Sequence, residues 1–206
     1  MKSWIEKNVL KIESWIQRNL LKLASHFSQK IAKVYMPFSR KKIEQDDYEH
    51  MLAVLKVGDV ISTKTRGELS NLFIPGFWSH VGIYAGGGKV IEATTHGVVE
   101  TNLAWFLFGK DYCAVSRPNF LNDDQKWLAV DFCKRQVGKP YDFSFNTSDI
   151  DKFYCSEIVF HAFKFVLGQS PFKLKVVLGQ ETIAPSDFYD ASKLFYKIYL
   201  SKSVRS

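Results

Sequence analysis

The sequence predicts an α+β domain in which an antiparallel sheet packs against helices. Short runs of alternating apolar residues follow one another between glycine-containing turns, as neighbouring antiparallel strands do. Two later segments repeat apolar residues at helical spacing instead. The 206 residues are 46% hydrophobic and 24% charged, which is typical of a globular protein with a sizeable core.

The N-terminal segment, residues 1–42, differs from the rest of the chain in charge and periodicity. It holds ten Lys/Arg and two Glu, a net charge of +8, whereas residues 43–206 carry a net charge of −1. Its apolar residues at helical spacing are Ile5, Val9, Ile12, Ile16, Leu20, Leu23, Phe27, Ile31 and Val34. Basic side chains lie on the opposite face, and Pro37 ends the run. We predict a basic amphipathic helical extension over 1–42 and one domain over 43–206.

Two locations remain open for the apolar stripe of this extension. It packs on the protein's own domain or on a second copy in a homodimer, or it lies in the interface of an anionic membrane. Trp4 and Trp15 border the stripe, as they would at a lipid surface. No apolar run approaches the roughly eighteen residues of a membrane span, and no secretory signal is visible. We therefore expect a cytoplasmic protein, with the membrane surface as the alternative, and no nucleic-acid partner.

The elements of the domain follow from turn signals and periodicity. Helices end at glycine and begin after capping residues, and strands lie between glycine, proline and serine clusters. The predicted helices are 46–55, 101–109, 122–138 and 153–168. The predicted strands are 58–65, 79–85, 89–94, 112–118 and 194–200. This order is typical of an α+β domain.

The predicted hairpin of strands 79–85 and 89–94 carries His80 and Glu92 on one face. A turn centred on Gly86 places Glu92 directly opposite His80, and a turn centred on Gly87 makes it a diagonal neighbour. In either register the carboxylate can accept from the imidazole and fix its tautomer. A solvated cross-strand pair without chemistry is the alternative interpretation.

Cys155 is predicted in the first turn of the helix at 153–168, on its apolar face. One interpretation is a small buried core residue. The other is a nucleophile whose thiolate is favoured by the positive end of the helix. Asp149 and Asp151 lie nearby in the sequence and would disfavour a thiolate.

The other cysteines are predicted in less favourable places. Cys113 lies in a strand and Cys133 in the middle of a helix, so neither has a helix start beside it. The three widely spaced cysteines form neither a disulfide framework nor a zinc pattern, and they fit a reducing compartment. We expect no metal and no cofactor.

Among the remaining histidines, His96 is the plausible rival to His80, because it lies near a turn close to the same hairpin. His161 lies one helical turn from Glu157 on the polar face of its helix. We expect a solvated ion pair there rather than chemistry.

Three blocks of this sequence resemble a known family and occur in that family's order. They are "GDVISTKTRGELSNLFIPGFWSHVGIYAG", "VIEAT" and "GKPYDFSFNTSDIDKFYCSEIVFHAF". They resemble the permuted branch of the NlpC/P60 superfamily, the YiiX/YebB-like cysteine hydrolases, over roughly residues 56–190. The superfamily is papain-like, but in this branch the histidine strand precedes the cysteine helix. The resemblance implies a permuted papain-like domain with an antiparallel sheet or half-barrel.

The resemblance also implies residue roles. Cys155 would be the nucleophile, His80 the general base and Glu92 the group that orients His80. The interval from His80 to Glu92 is similar to that in the lecithin–retinol acyltransferase-like relatives, which usually carry histidine at the third position. Glutamate at position 92 instead resembles the pattern of the YiiX-like group.

Further residues are predicted to bind substrate or shape the site. The backbone N–H of Cys155, free at a helix start, is a natural oxyanion donor, and the Tyr84 hydroxyl is a candidate second donor. The aromatic residues near the motifs would suit the binding of an apolar acyl group, or they would pack in the hydrophobic core. The complete set of candidates is Trp78, Tyr84, Tyr141, Asp142 and Tyr154.

Three functions therefore remain open. The leading one is a cysteine hydrolase that cleaves an amide or ester through an acyl-enzyme. The second is an acyltransferase in which an amine or alcohol replaces water and a lipid supplies the acyl group. The third is a non-catalytic module that binds small amphiphiles. The expected partners are accordingly amide- or acyl-containing small molecules, peptides or lipids.

Overall fold

The computed structural model describes residues 43–66, 74–177 and 179–205. The predicted helical extension over 1–42 lies outside these residues, so it stays a prediction, as does the domain boundary after residue 42.

The described chain alternates strands and helices in an order close to the predicted one. The helices are α1 Gln45–Val54, α2 Leu103–Leu107, α3 Asp123–Arg135, α4 Cys155–Leu167, α5 Asp187–Asp190 and α6 Lys202–Arg205. The strands are β1 Val60–Lys64, β2 His80–Gly86, β3 Lys89–Thr94, β4 Gly97–Asn102, β5 Tyr112–Pro118, β6 Lys175–Val177, β7 Gln180–Thr182 and β8 Phe195–Leu200.

Within the described residues, six strands form one antiparallel sheet in the order β4-β3-β2-β1-β5-β8. β6 and β7 form a separate hairpin. The predicted α+β class is confirmed, and it is consistent with a permuted papain-like fold. The sheet centre is β2 and β1, so the strand that begins with His80 is paired on both sides.

Helices cover both faces of the sheet. On one face, Val81 and Ile83 of β2 belong to a core that includes Ile158 and Val159 of α4. On the other face, Tyr84 belongs to a second core built from the sheet, α1 and α2. Because side chains alternate along a strand, successive residues of β2 pack into the two cores in turn.

The structure contains elements that were not predicted, namely strand β4, the β6–β7 hairpin and the short helices α5 and α6. Residues 101–102, expected to begin a helix, end strand β4, which pairs along the whole length of β3. In the run "GVVETN" only the adjacent residues Gly97 and Val98 are buried, so the sequence lacks a clear alternation of apolar and polar residues. The β6–β7 hairpin was also not predicted, because its strands are three residues each and half exposed.

Gly82 permits a close approach between β2 and α2. A Cβ atom at this position would lie 2.6 Å from Val90 Cγ1 and 2.9 Å from Phe106 Cε2. The missing side chain lets Phe106 lie against His80, with ring centroids 5.6 Å apart. Gly82 therefore helps to set the distance between α2 and the strand that carries the histidine.

We expect Gly82→Ala to lower the free energy of unfolding by roughly 1–3 kcal/mol, because the added methyl overpacks this contact. The variant should also slow alkylation of Cys155, since Phe106 and Val90 must move beside His80. Denaturant unfolding and a timed iodoacetamide reaction measure the two effects.

Gly87→Ala is the matched control. Gly87 has φ +59°, and a Cβ atom there would have no neighbour within 4 Å, so alanine adds backbone strain of about 1 kcal/mol without a new contact. It should leave Cys155 alkylation unchanged. Wild-type stability and alkylation in Gly82→Ala would contradict the packing argument.

Candidate active site

The pairing of β2 with β3 brings His80 and Glu92 together. Gly82 lies opposite Glu92 and Ile83 opposite Ile91, which is the register of a turn centred on Gly87. Glu92 is therefore the diagonal neighbour of His80, and the Nε2–H of His80 donates to Glu92 Oε2 at 2.7 Å. Both side chains are largely buried. This burial distinguishes the pair from a solvated cross-strand contact.

Cys155 lies where α4 begins, next to the start of β2. It is the first residue of the helix, after Tyr154 as N-cap. Against the effect of burial, hydrogen bonding and charge from His80, together with the backbone of Val81, lower the pKa of the Cys155 thiol. Because Nε2 of His80 is occupied by Glu92, Nδ1 is the nitrogen left for the thiol. The described residues thus form a chain from thiol to imidazole to carboxylate.

The pKa values of Cys155 and His80 shift in opposite directions. Burial raises the pKa of Cys155, but hydrogen bonding and the positive charge of His80 outweigh it, so the net shift is downward. Burial lowers the pKa of His80, but hydrogen bonds and charges from Cys155 and Glu92 raise it to about 9. The two shifts favour a thiolate–imidazolium pair. Asp149 and Asp151 are not among the largest influences on the thiol.

The other two cysteines are buried without a basic partner. Burial, followed by the charge of Asp47, raises the pKa of Cys113 to about 12, and its Sγ lies 3.2 Å from Met51 Sδ. Burial alone raises the pKa of Cys133. All three cysteines are free, so the difference in environment alone separates Cys155 from the others.

The loop before α4 is held by the buried carboxylate of Asp142. It accepts the backbone N–H groups of Ser144 and Asn146, each at 2.8 Å, and the ammonium group of Lys152 lies 3.3 Å away. Asp142 is thus a structural anchor rather than a reacting group.

Tyr141 lies beside the strand-like residues that lead into the helix. It forms a single parallel bridge with Phe153, two residues before Cys155. Burial, and then the negative charge of Cys155, raises the pKa of the Tyr141 phenol. The phenol of Tyr141 therefore stays protonated at neutral pH.

Tyr154 also shapes the helix start. Its hydroxyl accepts the N–H of Ile183 at 3.2 Å and lies 2.9 Å from Thr182 Oγ1, which ties the residue to the segment after β7. Burial raises the pKa of this phenol. Tyr154 therefore fixes α4 against its neighbours.

Tyr84 and Trp78 lie elsewhere than the sequence suggested. The Tyr84 hydroxyl accepts the N–H of Gly88 at 3.0 Å, at the opposite end of β2 from His80, so it is not placed as an oxyanion donor. The Trp78 ring is buried in a small cluster with Tyr112 and Tyr189. It packs against the structure rather than lining an open site.

Two histidine predictions have different outcomes. His96 is exposed in the turn between β3 and β4, and the hydrogen bond to the Cys155 sulfur comes from His80. The expected solvated pair of Glu157 and His161 is wrong, because both side chains are buried. The helix is apolar nearly all round, and such a helix buries its polar positions too.

One protein family matches most of the chain. Residues 54–199 match the family described as permuted papain-like amidase enzyme, YaeF/YiiX, C92. The chain belongs to this family.

Two YiiX proteins are similar to this chain. Over 121 residues it is 46% identical to the uncharacterized YiiX protein of Escherichia coli K12, and the match spans 55% of this chain but only 59% of that protein's length. The fold of this chain is similar to the crystal structure of metalloprotein YiiX from Escherichia coli O157:H7, with a TM-score of 0.59 and 22% identity. That superposition covers 71% of this chain and 97% of the other, and it supports the fold.

The described residues contain neither a cluster of metal ligands nor a membrane-spanning helix. Among them, no group of three or more His, Cys, Asp or Glu side chains is arranged to hold a metal ion. No helix in the described ranges is long and apolar enough to cross a membrane.

Sequence reasoning missed Phe106 as a neighbour of His80. Its ring contacts the imidazole from α2. Two features of the sequence could have indicated this contact. Gly82 lies on the same face of β2 as His80, and a glycine within a strand often marks a place where another element approaches closely. The aromatic run at 105–108 offered a ring to fill that place.

We expect iodoacetamide near neutral pH to label Cys155 before Cys113 and Cys133, because its thiolate is stabilised and theirs are not. Peptide mapping of the adducts at short reaction times measures the preference. Cys155→Ser should abolish the fast phase. Fast labelling of Cys113 or Cys133 in folded protein would contradict the assignment.

Proposed function

We propose that this protein is a cysteine hydrolase that cleaves an amide or ester bond through an acyl-enzyme. Cys155 is the nucleophile, His80 the general acid–base group and Glu92 the residue that orients His80. The observation that carries the proposal is the buried hydrogen bond between the His80 imidazole and the Glu92 carboxylate, together with the lowering of the Cys155 thiol pKa by His80. Family membership supports the same reaction class.

The mechanism follows from the protonation states of the site. The Cys155 thiolate attacks the substrate carbonyl carbon, and the electron pair of the C=O bond moves to oxygen. The His80 imidazolium donates its proton to the leaving amine or alcohol as the tetrahedral intermediate collapses to a thioester. Neutral His80 then takes a proton from water, which attacks the thioester and releases the acid and the thiol.

Glu92 acts on His80 rather than on the substrate. Its carboxylate accepts Nε2–H and so holds Nδ1 toward the thiol. Its negative charge also raises the pKa of His80, which keeps the imidazolium form available for the leaving group. Loss of this group should therefore weaken catalysis without removing it.

The oxyanion is placed near the start of α4. The backbone N–H of Cys155 belongs to the first turn, where helix N–H groups have no helical carbonyl partner. It can donate to an oxygen that develops negative charge beside the thiol. Tyr141, which pairs with Phe153 two residues before Cys155 and whose phenol stays protonated, is our candidate for the second donor in place of Tyr84.

An acyltransferase is the second candidate, favoured by the aromatic surface next to His80. Phe106 touches the imidazole, while its neighbours Trp105 and Phe108 are 68% and 72% exposed. An apolar acyl chain would bury such surface. The thioester chemistry is the same, with an amine or alcohol replacing water in the second step.

A panel of amides, esters and phospholipids tests these alternatives. A hydrolase releases the free acid from an amide or ester, whereas an acyltransferase forms a new amide or ester when an amine or alcohol is added. Mass spectrometry of trapped acyl-enzyme at Cys155 serves as the shared readout. No acylation with any member, together with an unreactive thiol, would favour a non-catalytic binding module.

We expect a graded series of variants on any working substrate. Cys155→Ala and His80→Ala should remove turnover, because each supplies a group that forms or breaks a bond. Glu92→Gln should retain part of it, because an orienting group is partly replaceable. A wild-type rate in His80→Ala would contradict its role, and His96→Ala is the matched histidine control, expected to be unchanged.

The same series has a pH signature. Activity should fall as pH rises through about 9, because His80 loses the proton it must donate. In Glu92→Gln the raising influence of the carboxylate is lost, so the pKa of His80 drops and the alkaline limit should move to lower pH. An unmoved limit would contradict the orienting role of Glu92.

We further propose that residues 1–37 bind anionic membranes. This segment lies outside the described residues, and the proposal rests on its apolar stripe and on the net charge of +8 carried by residues 1–42. Full-length protein should float with anionic liposomes, less so at high salt, and a protein lacking residues 1–37 should not. Equal partitioning of the two proteins would instead indicate packing on the domain or in a homodimer.

A further inference from the structure

We propose that Glu157 is a positioning residue of this site: as an uncharged carboxylic acid it holds the start of α4 without placing a negative charge beside the Cys155 thiolate. The inference rests on the proposed role of Cys155. It goes beyond that role because Glu157 touches neither the thiol nor His80 in the described contacts.

The position of Glu157 ties it to the first turn of the helix. It is the third residue of α4, two residues after Cys155, and its Oε2 accepts the backbone N–H of Tyr154 at 3.1 Å. The side chain and backbone thereby close a capping box around the peptide that precedes Cys155. This contact fixes the direction of the N–H groups at the helix start.

The second oxygen of Glu157 has no partner in the described part of the chain. The side chain is fully buried, and Oε1 is one of the buried polar atoms without a hydrogen bond. A buried carboxylate with a single N–H donor and an unpartnered oxygen would carry a charge that nothing solvates. Protonation of Oε1 removes that charge while Oε2 keeps its bond to Tyr154.

His161 does not supply the missing counter-charge. Its Nε2 is 3.6 Å from Glu157 Oε1 but donates instead to the carbonyl of Thr147 at 3.1 Å. Burial lowers the pKa of His161, so the imidazole is neutral at neutral pH. Glu157 and His161 therefore meet as two uncharged side chains, although the distance between them is that of an ion pair.

The charged groups around Glu157 also favour its neutral form. Burial is the largest influence and raises the pKa of Glu157 to about 9, with further upward contributions from Asp142 and Asp149. The N–H of Tyr154 and the charge of Lys152 act in the opposite direction without outweighing burial, and Lys152 is engaged by both of those carboxylates. The phenols of Tyr141 and Tyr154 stay protonated and add no charge.

A neutral acid solves a conflict at the helix start. The first turn must be capped, and acidic side chains are good partners for its N–H groups. A full negative charge two residues from the nucleophile would, however, raise the pKa of the thiol. A carboxylic acid supplies the hydrogen bond and leaves the positive end of the helix to the thiolate.

The test compares Glu157→Gln with Glu157→Ala in the full-length protein, by the pH dependence of Cys155 alkylation with iodoacetamide. Gln keeps the acceptor and the absence of charge, so its alkylation profile should stay within about twofold of wild type at neutral pH. Ala removes the acceptor, so the pKa of the thiol should rise and alkylation at neutral pH should slow about tenfold for each pKa unit.

A second measurement reads the protonation of Glu157 directly. Infrared difference spectra of wild type against Glu157→Gln at neutral pH should contain the C=O band of a protonated carboxyl group. This readout does not depend on Cys155 being a nucleophile. It stays informative if Glu157→Ala does not fold or if the proposed hydrolase activity is not found.

Asp59→Asn is the matched control. Asp59 is also fully buried but is charge-paired with Arg117 at 2.7 Å, near the far end of β1 from the site. It should lower stability and leave the alkylation profile unchanged. Faster alkylation and a lower thiol pKa in Glu157→Gln, a missing carboxyl band, or a wild-type profile in folded Glu157→Ala would each overturn the proposal.

Discussion

The contact between a buried thiol and a buried imidazole is the interaction on which the rest of the site depends. Burial alone opposes the ionised form of both Cys155 and His80, and each is favoured by the opposite charge of the other, with Glu92 adding to the effect on His80. Separating two such groups leaves a buried charge without a partner, which is costly. The fold must therefore hold α4 and β2 in a fixed relation.

Several neighbours supply that fixed relation. Gly82 lets α2 approach the sheet, Asp142 holds the loop before the helix, and Tyr154 ties the helix start to the segment after β7. Few of these groups can touch a substrate. They are costly to lose because a small displacement of either partner weakens a short-range charge contact.

Much of this arrangement follows from local patterns in the sequence. The alternation around His80 and Glu92 put both on one face, and the helix start at Cys155 followed from periodicity and from the glycine at its end. Local patterns could not choose between the two hairpin registers, because either keeps the pair on one face. They also misjudged Glu157, since a helix covered on all sides by other elements offers no solvated face. Contacts such as Phe106 with His80 depend on how distant elements pack.

The reactive thiol is also a property of the folded state alone. In an unfolded chain Cys155 is an ordinary cysteine, because His80 precedes it by 75 residues and only tertiary packing brings the two together. Any local opening that separates α4 from β2 would return the pKa of the thiol to that of an ordinary cysteine and so lower its reactivity. The rate of Cys155 alkylation should therefore measure native-state fluctuations at the point where helix and sheet meet.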